Sequence, residues 1–303
     1  MGNPFTSLWR RLWEDPPPTL ALEFSADAVA AARWTPGATR PEQMAIRPLP
    51  PGALRPSPVR ENLHDVEAVA AAVTSALEEI GRGRSARRDI ALLLPDLSAR
   101  VTVIPVEQMP SKAEEIVTLV RFRMRKAVPF DVDDACVSYR VQGRDVLAAM
   151  APRAVVRQFE SLVEELGYQP GLVTLSTLAG LNLVVPGAQT DSGAMLIRGS
   201  GGQVTIAIHS PGRLHMLRVS EWGDPQELVQ DVYSSAIFYQ DNAHGRVERI
   251  YECGLGAEKE ALLSRVESDL GVAPRPLVVP GAAPEQAPFV GVFGMLAAQA
   301  QAL

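Results

Sequence analysis

The sequence predicts an α/β protein made of two halves of similar design. Two observations carry this. Short apolar runs of strand length, such as Ile90–Leu94, alternate with amphipathic helical stretches such as Asp65–Ile80. The same order, short antiparallel strands followed by helices and buried strands, recurs after about the middle of the chain. With 303 residues, 47% of them hydrophobic, there is enough chain for one large domain or two ordinary ones.

Residues 1–18 read as a separate module. Asn3 can cap a helix that has Pro4 at its first position, and Phe5, Leu8, Trp9, Leu12 and Trp13 then share one face. Pro16, Pro17 and Pro18 end it. Such a short helix is marginal alone in water, so it folds against something. One reading is a membrane surface, with Arg10 and Arg11 near anionic headgroups; the other is a partner or the globular body itself.

Thr19–Phe24 and Val29–Trp34 then form a predicted hairpin, and residues 35–60, rich in Pro and Gly, a loop. Asp65–Ile80 is a helix with Val66, Val69, Val73, Leu77 and Ile80 on one face, and Arg82, Arg84, Arg87 and Arg88 make a basic turn. Ile90–Leu94 is an apolar strand of the buried type and Val101–Val106 another. Ser111 with Glu114 has the spacing of a capping box for a helix that Pro129 stops, with apolar Ile116, Val117, Val120, Met124 and Val128 and basic Arg121, Arg123, Arg125 and Lys126. An acidic extended segment leads into a strand at Cys136–Tyr139, and Asp145–Ala151 is a further strand. A helical stripe from Val155 to Leu166 closes at Gly167, a strand follows at Leu172–Leu175, and a boundary is expected at Pro186–Ser192. In the second half, Met195–Ile197, Val204–His209 and Leu214–Val219 are strands and Pro225–Asn242 a long helix. Ile250–Cys253 and Leu277–Val279 are strands around a helix at Glu258–Leu270, and an apolar helix, Phe289–Leu303, closes the chain.

The net charge of −6 gives no general pull toward nucleic acid, so no nucleic-acid partner is expected. Two cysteines do not make a disulfide framework and suit a reducing cytoplasm. No apolar run approaches the roughly 20 residues of a membrane span. Arg10 and Arg11 argue against a signal peptide. There is no Walker A sequence and no GxSxG elbow. His64, His209, His215 and His244 lack ligand spacing, and Asp131, Asp133 and Asp134 lack the glycine and distal glutamate of a calcium loop, so no metal site is expected.

The helix before Val128-Pro129-Phe130, the acidic strand after it and the turn at Val141-Gln142-Gly143 resemble the PilM family of type IV pilus assembly proteins. The C-terminal stretch Phe289-Val290-Gly291-Val292-Phe293-Gly294 is similar to that family's last helix. The resemblance implies a two-lobed actin-like (ribonuclease H-like) fold with a small inserted subdomain, related to FtsA. It divides the chain into residues 1–18, a first lobe at 19–105, the inserted subdomain at 106–170, and a second lobe at 171–303 whose C-terminal helix returns to the first.

Three loops would then face a nucleotide. The first, Glu23-Phe24-Ser25-Ala26-Asp27, has glutamate for the family's aspartate and serine for its glycine. The second, Ile197-Arg198-Gly199-Ser200-Gly201-Gly202, has isoleucine for the metal-positioning aspartate. The third, Cys253-Gly254-Leu255-Gly256, resembles the adenosine-side loop and precedes a helix N-terminus. Glu23, Ser25, Gly199, Gly201, Gly202, Gly254 and Gly256 are thus expected to outline a degenerate nucleotide site. There is no catalytic residue to name, and ATP is at most a weak ligand.

By the same resemblance the chain is expected to be a cytoplasmic pseudo-ATPase scaffold, peripheral at the inner membrane. It would bind the N-terminal cytoplasmic peptide of a PilN-like membrane protein, with Phe122, Val128, Phe130 and Tyr139 as hydrophobic contributors. The alternatives are an active actin-fold ATPase and the cytoplasmic part of a type II secretion component. The latter continues into a transmembrane helix in its relatives, which this sequence lacks.

Overall fold

The computed structural model describes residues 18–81, 88–184, 192–243, 245–256, 259–279, 281–283 and 285–302. The N-terminal stretch bearing Phe5, Leu8, Trp9, Leu12 and Trp13, the arginines at 82, 84 and 87, the 186–191 boundary and His244 lie outside the described residues.

Two five-stranded sheets share one topology. The strands are β1 (Leu20–Phe24), β2 (Ala28–Arg33), β3 (Gln43–Pro48), β4 (Asp89–Leu94), β5 (Arg100–Pro105), β6 (Ala135–Gln142), β7 (Asp145–Pro152), β8 (Gln169–Leu175), β9 (Ser192–Ser200), β10 (Gln203–Ser210), β11 (Arg213–Glu221), β12 (Arg246–Cys253) and β13 (Pro274–Pro276). The helices are α1 (Val66–Ile80), α2 (Ala113–Met124), α3 (Arg153–Glu165), α4 (Ser176–Gly180), α5 (Pro225–Ala243), α6 (Lys259–Leu270) and α7 (Val290–Ala302). The first sheet runs β3-β2-β1-β4-β8 and the second β11-β10-β9-β12-β13. In each, the first three strands in chain order form an antiparallel meander and the last two lie parallel to the first. The echo between the two halves of the sequence is therefore a duplication of architecture.

The first sheet is covered on both faces. Leu22 and Phe24 of β1 pack toward α1 and α3, with Phe24 edge-on to Phe159 at 5.0 Å between ring centroids. Ala21 of β1 and Leu93 of β4 face the other way, onto Val292, Met295 and Leu296 of α7. In the second lobe, Met195 and Ile197 of β9 pack on α5 and α6, while Ala194 and Leu196 turn toward the first lobe. Strand alternation thus puts residues 21 and 23 of β1, and 194, 196 and 198 of β9, on the facing surfaces of the two lobes.

Several local expectations change. Residues 43–48, expected as loop, form β3 on the sheet edge; only Ala45 of this short strand is buried, which leaves a weak pattern. The capping box at Ser111 does not form: α2 starts at Ala113, and Lys112, with no side-chain bond to the helix, stands at its cap. That helix ends at Met124 rather than at Pro129, and the chain turns through Ala127 and Val128, whose amides both donate to the Met124 carbonyl. The last strand is Pro274–Pro276 rather than Leu277–Val279; Leu277 and Val279 instead drop their side chains into the core.

The inserted subdomain is a three-stranded sheet, β5-β7-β6, with α2 on it, so it spans Arg100 to Pro152 rather than 106–170. α3 belongs to the first lobe, because Val155, Phe159, Leu162 and Val163 complete that lobe's core. β8 pairs in parallel with β4 and closes the first sheet rather than opening the second lobe.

α7 returns from the second lobe to the first, and two glycines let it approach. A Cβ on Gly294 would overlap the carbonyl oxygen of Ala179 in α4, and one on Gly291 would press on Leu93 and on the Glu23 carboxylate. In an exposed helix a Gly→Ala change stabilises by about 1 kcal/mol. Gly294→Ala is expected to have the opposite sign here, a loss of about 1–3 kcal/mol in urea unfolding, because backbone cannot yield as a side chain can.

Candidate functional site

Three loops converge where the lobes meet. In the first hairpin, Ser25 turns inward on its own loop: its hydroxyl donates to Asp27 Oδ1 at 2.6 Å and receives the Ala28 amide at 3.1 Å. The second hairpin turns through Gly201 (φ 55°) and Gly202 (φ 77°), left-handed positions that suit glycine. Its tip lies against the first: a Cβ on Gly201 would collide with the backbone nitrogen of Ala26. Gly199 and Gly254 likewise stand backbone to backbone, so the second and third loops touch. Gly202 and Gly256 border open space. Gly199, Gly201 and Gly254 thus let loops pack on one another.

Below the hairpin tips the facing surfaces carry charge. The residue of β9 that faces the first lobe is Arg198, not Ile197, whose side chain lies in the second-lobe core. Arg198 is 2% exposed and lies between two buried carboxylates, Glu23 (0%) and Asp96 (2%). One terminal nitrogen donates to Glu23 Oε1 at 3.0 Å and to the Pro288 carbonyl at 3.2 Å. The other donates to Asp96 Oδ2 at 3.3 Å and to Thr177 Oγ1 at 3.4 Å. Asp96 also accepts from the Thr177 amide, the Thr177 hydroxyl and the Thr205 hydroxyl, at 2.9, 2.5 and 2.7 Å. Glu23 Oε2 accepts from the Val292 amide at 2.9 Å. That amide belongs to the first turn of α7, whose positive dipole end suits the excess negative charge of two carboxylates on one guanidinium.

Burial pushes the Glu23 carboxyl above the ordinary carboxylate range, while Arg198 and the α7 amides pull it back. Burial works against the Arg198 charge, but Asp96 and Glu23 outweigh it and hold the guanidinium protonated. Burial pushes the neighbouring Cys253 thiol up to about 12, so it stays neutral. Chemically, the site is a compensated ion network. Its two carboxylates are both engaged by the protein's own cation. Among the described residues no group of three or more His, Cys, Asp or Glu side chains could hold a metal ion.

Asp96, Thr177 and Thr205 were not visible as site residues in the sequence. Asp96 sits in a single 3₁₀ turn after β4, and the one available signal was Arg198 itself, a charge directly after the apolar run Met195 to Ile197 and still within the strand.

The residues expected to meet a partner gather on the inserted subdomain. Phe122 on α2 is 73% exposed, Phe130 and Tyr139 are half-buried against the subdomain core, and Val128 lies inside that core. Val128 can therefore shape such a surface only from behind. The subdomain is tied to the second lobe by Arg213, paired with Asp145, and by Gln142, which exchanges two hydrogen bonds with the Leu214 backbone at 2.8 and 3.1 Å.

Two duplicated sheets meeting at paired hairpins, with a subdomain inserted in the first, define an actin-like fold. The structure of a PilM-PilN type IV pilus biogenesis complex is similar over 93% of this chain and 98% of that one, with a TM-score of 0.75 and 19% identity. The cytoplasmic domain of EpsL, an inner-membrane component of the type II secretion system of Vibrio cholerae, gives 0.53 and 12% over 93% and 94%. A Bacteroides thetaiotaomicron protein with an actin-like ATPase fold gives 0.51 and 11% over 89% and 94%. No protein-family model and no curated protein sequence matches the chain. No helix among the described residues is long and apolar enough to cross a membrane.

Two predictions follow from the electrostatics. Asp96→Ala is expected to cost about 3–5 kcal/mol in chemical unfolding, because it removes one of the two buried carboxylates that neutralise Arg198 and leaves the Thr177 and Thr205 hydroxyls without their acceptor. Asp133→Ala, which removes an exposed ion pair with Arg125, should cost less than about 1 kcal/mol. His209 and His215, held to about 4 chiefly by burial, stay neutral in the folded chain while the unfolded chain protonates near 6.5. Their contribution to stability is present above about pH 6.5 and is lost as the pH falls toward 4. Unfolding curves across that window should show the decline, and it should be shallower in His209→Gln.

Proposed function

We propose that this chain is a PilM-like scaffold, acting at the cytoplasmic face of the inner membrane in a type IV pilus or related secretion platform. Its partner would be the N-terminal cytoplasmic peptide of a PilN-like membrane protein, docked beside the inserted subdomain. The observation that supports this reading best is the near full-length similarity to the PilM-PilN complex, at a TM-score of 0.75. The exposed Phe122 on α2, next to basic Arg123 and on the same subdomain as half-buried Phe130 and Tyr139, offers an apolar anchor point for an extended peptide.

The same reading makes the chain a pseudo-ATPase rather than an enzyme. Arg198 engages both buried carboxylates, and the two hairpin tips touch where a phosphate would lie. ATP is then a weak ligand or none. An actin-fold ATPase is the weaker reading on this ground. A component of a type II secretion system comes second because the EpsL domain, also similar along most of the chain, has the lower TM-score, 0.53.

Calorimetric titration tests both halves. The PilN-like N-terminal peptide from the same source should bind, and Phe122→Asp should weaken it by about tenfold or more, since an anchoring aromatic contributes on the order of 1.4 kcal/mol or above. ATP with Mg²⁺ should give no saturable heat. Absence of peptide binding would sink the scaffold; tight magnesium-dependent ATP binding would sink the pseudo-ATPase.

A further inference from the structure

Where the lobes meet, the two buried ion pairs that the described residues form between them, Arg198 with Glu23 and Arg198 with Asp96, share one side chain. Arg198 projects from β9 of the second lobe, and its two terminal nitrogens diverge to reach Glu23 on β1 and Asp96 after β4, both of the first. A third bond runs to the carbonyl of Pro288, immediately before α7, which is packed on the first lobe. Thr205, on the strand beside β9, adds a hydroxyl to the same Asp96 oxygen. We infer that Arg198 is a built-in latch, closing the two lobes on each other with a side chain in the place where a bound ligand would otherwise bridge them.

The chemistry of the group fits this task. A planar guanidinium can hold two separate carboxylates at once, which an ammonium, a point charge on a flexible stem, does poorly. All three charged groups are at most 2% exposed, so salt does not screen their attraction as it would on a surface. Separating the lobes would leave two buried carboxylates without their cation, or bring water to them, and either is costly. The hairpin tips meet above the latch, with Gly201 against Ala26, so closure is continuous from the buried ions to the surface. The closed form is then the ground state of the free chain, and its lobes do not respond to nucleotide. This inference deepens the reading of the cleft as a degenerate nucleotide site and is independent of which partner binds the inserted subdomain.

Hydrogen exchange read by mass spectrometry tests it on the full chain. In Arg198→Lys, which keeps the charge but not the fork, the hairpin tips at residues 25–28 and 200–203 should exchange at least about tenfold faster than in wild type. The strand interior Ile206–Ile208 serves as reference and should be unchanged. In Arg198→Ala, millimolar ethylguanidinium should restore protection at the tips by refilling the vacated site. Mg²⁺-ATP should leave the wild-type tips unaltered. The latch is overturned if the tips of Arg198→Lys exchange as in wild type, if acceleration is uniform along the chain, if ethylguanidinium restores nothing, or if Mg²⁺-ATP slows exchange in wild type. Failure of the PilN-like peptide to bind would sink the scaffold reading and leave this one standing.

Discussion

The buried ion network of Arg198 with Glu23 and Asp96 is the constraint around which the rest of the structure is arranged. Each of the three charges would be prohibitively costly alone in a dry interior. Together they require Glu23 on one strand of the first sheet, Asp96 in the turn just past the neighbouring strand, Arg198 on the other sheet, and further hydrogen-bond donors for the buried carboxylates. The two threonines and the first turn of α7 supply those donors. One cost remains: Arg198 Nε is buried with no hydrogen-bond partner. Buried ion networks of this kind contribute less to net stability than to holding one arrangement against others, and here the arrangement held is the relative position of two lobes.

That demand reaches the C-terminal helix. α7 brings an amide to Glu23 only because Gly291 and Gly294 allow it to lie against β1, β4 and α4 at backbone distance. A helix with side chains at those two positions would stand off, and the carboxylate would lose its donor. The apolar face of α7, meanwhile, covers Ala21, Ala91 and Leu93 on the first sheet. A single helix therefore performs two tasks at once, sealing one face of the first lobe and completing the polar network at the junction with the second.

The duplicated topology sets which residues meet at the junction of the lobes. Each sheet presents a hairpin to the other, and strand alternation selects which residues of β1 and β9 face across. With acidic residues on both sides, repulsion would call for a cation from solution. With an acid on one side and Arg198 on the other, the cation is already present. The inserted subdomain keeps its own core and its own exposed aromatic beside this junction.

Much of the architecture was determined by local pattern alone. The buried strand Ile90–Leu94, the hairpin at residues 20–33, the stripes of α1, α3 and α5, and the Gly167 stop all follow from residue spacing, because burial of an apolar face imposes a period that the chain displays directly. Elements whose order comes from pairing were not legible: β3 is an edge strand among prolines, and β8 looked like the start of a new lobe until it paired with β4. The site divided the same way. Glu23 and the glycines of the second and third loops were named through the resemblance to the PilM family. That Arg198 meets Glu23 and Asp96, with Thr177 and Thr205 around them, depends on residues as many as 175 positions apart in the chain. Periodicity records which side of its own strand a residue faces. Only the packing of one sheet on another decides what it meets there.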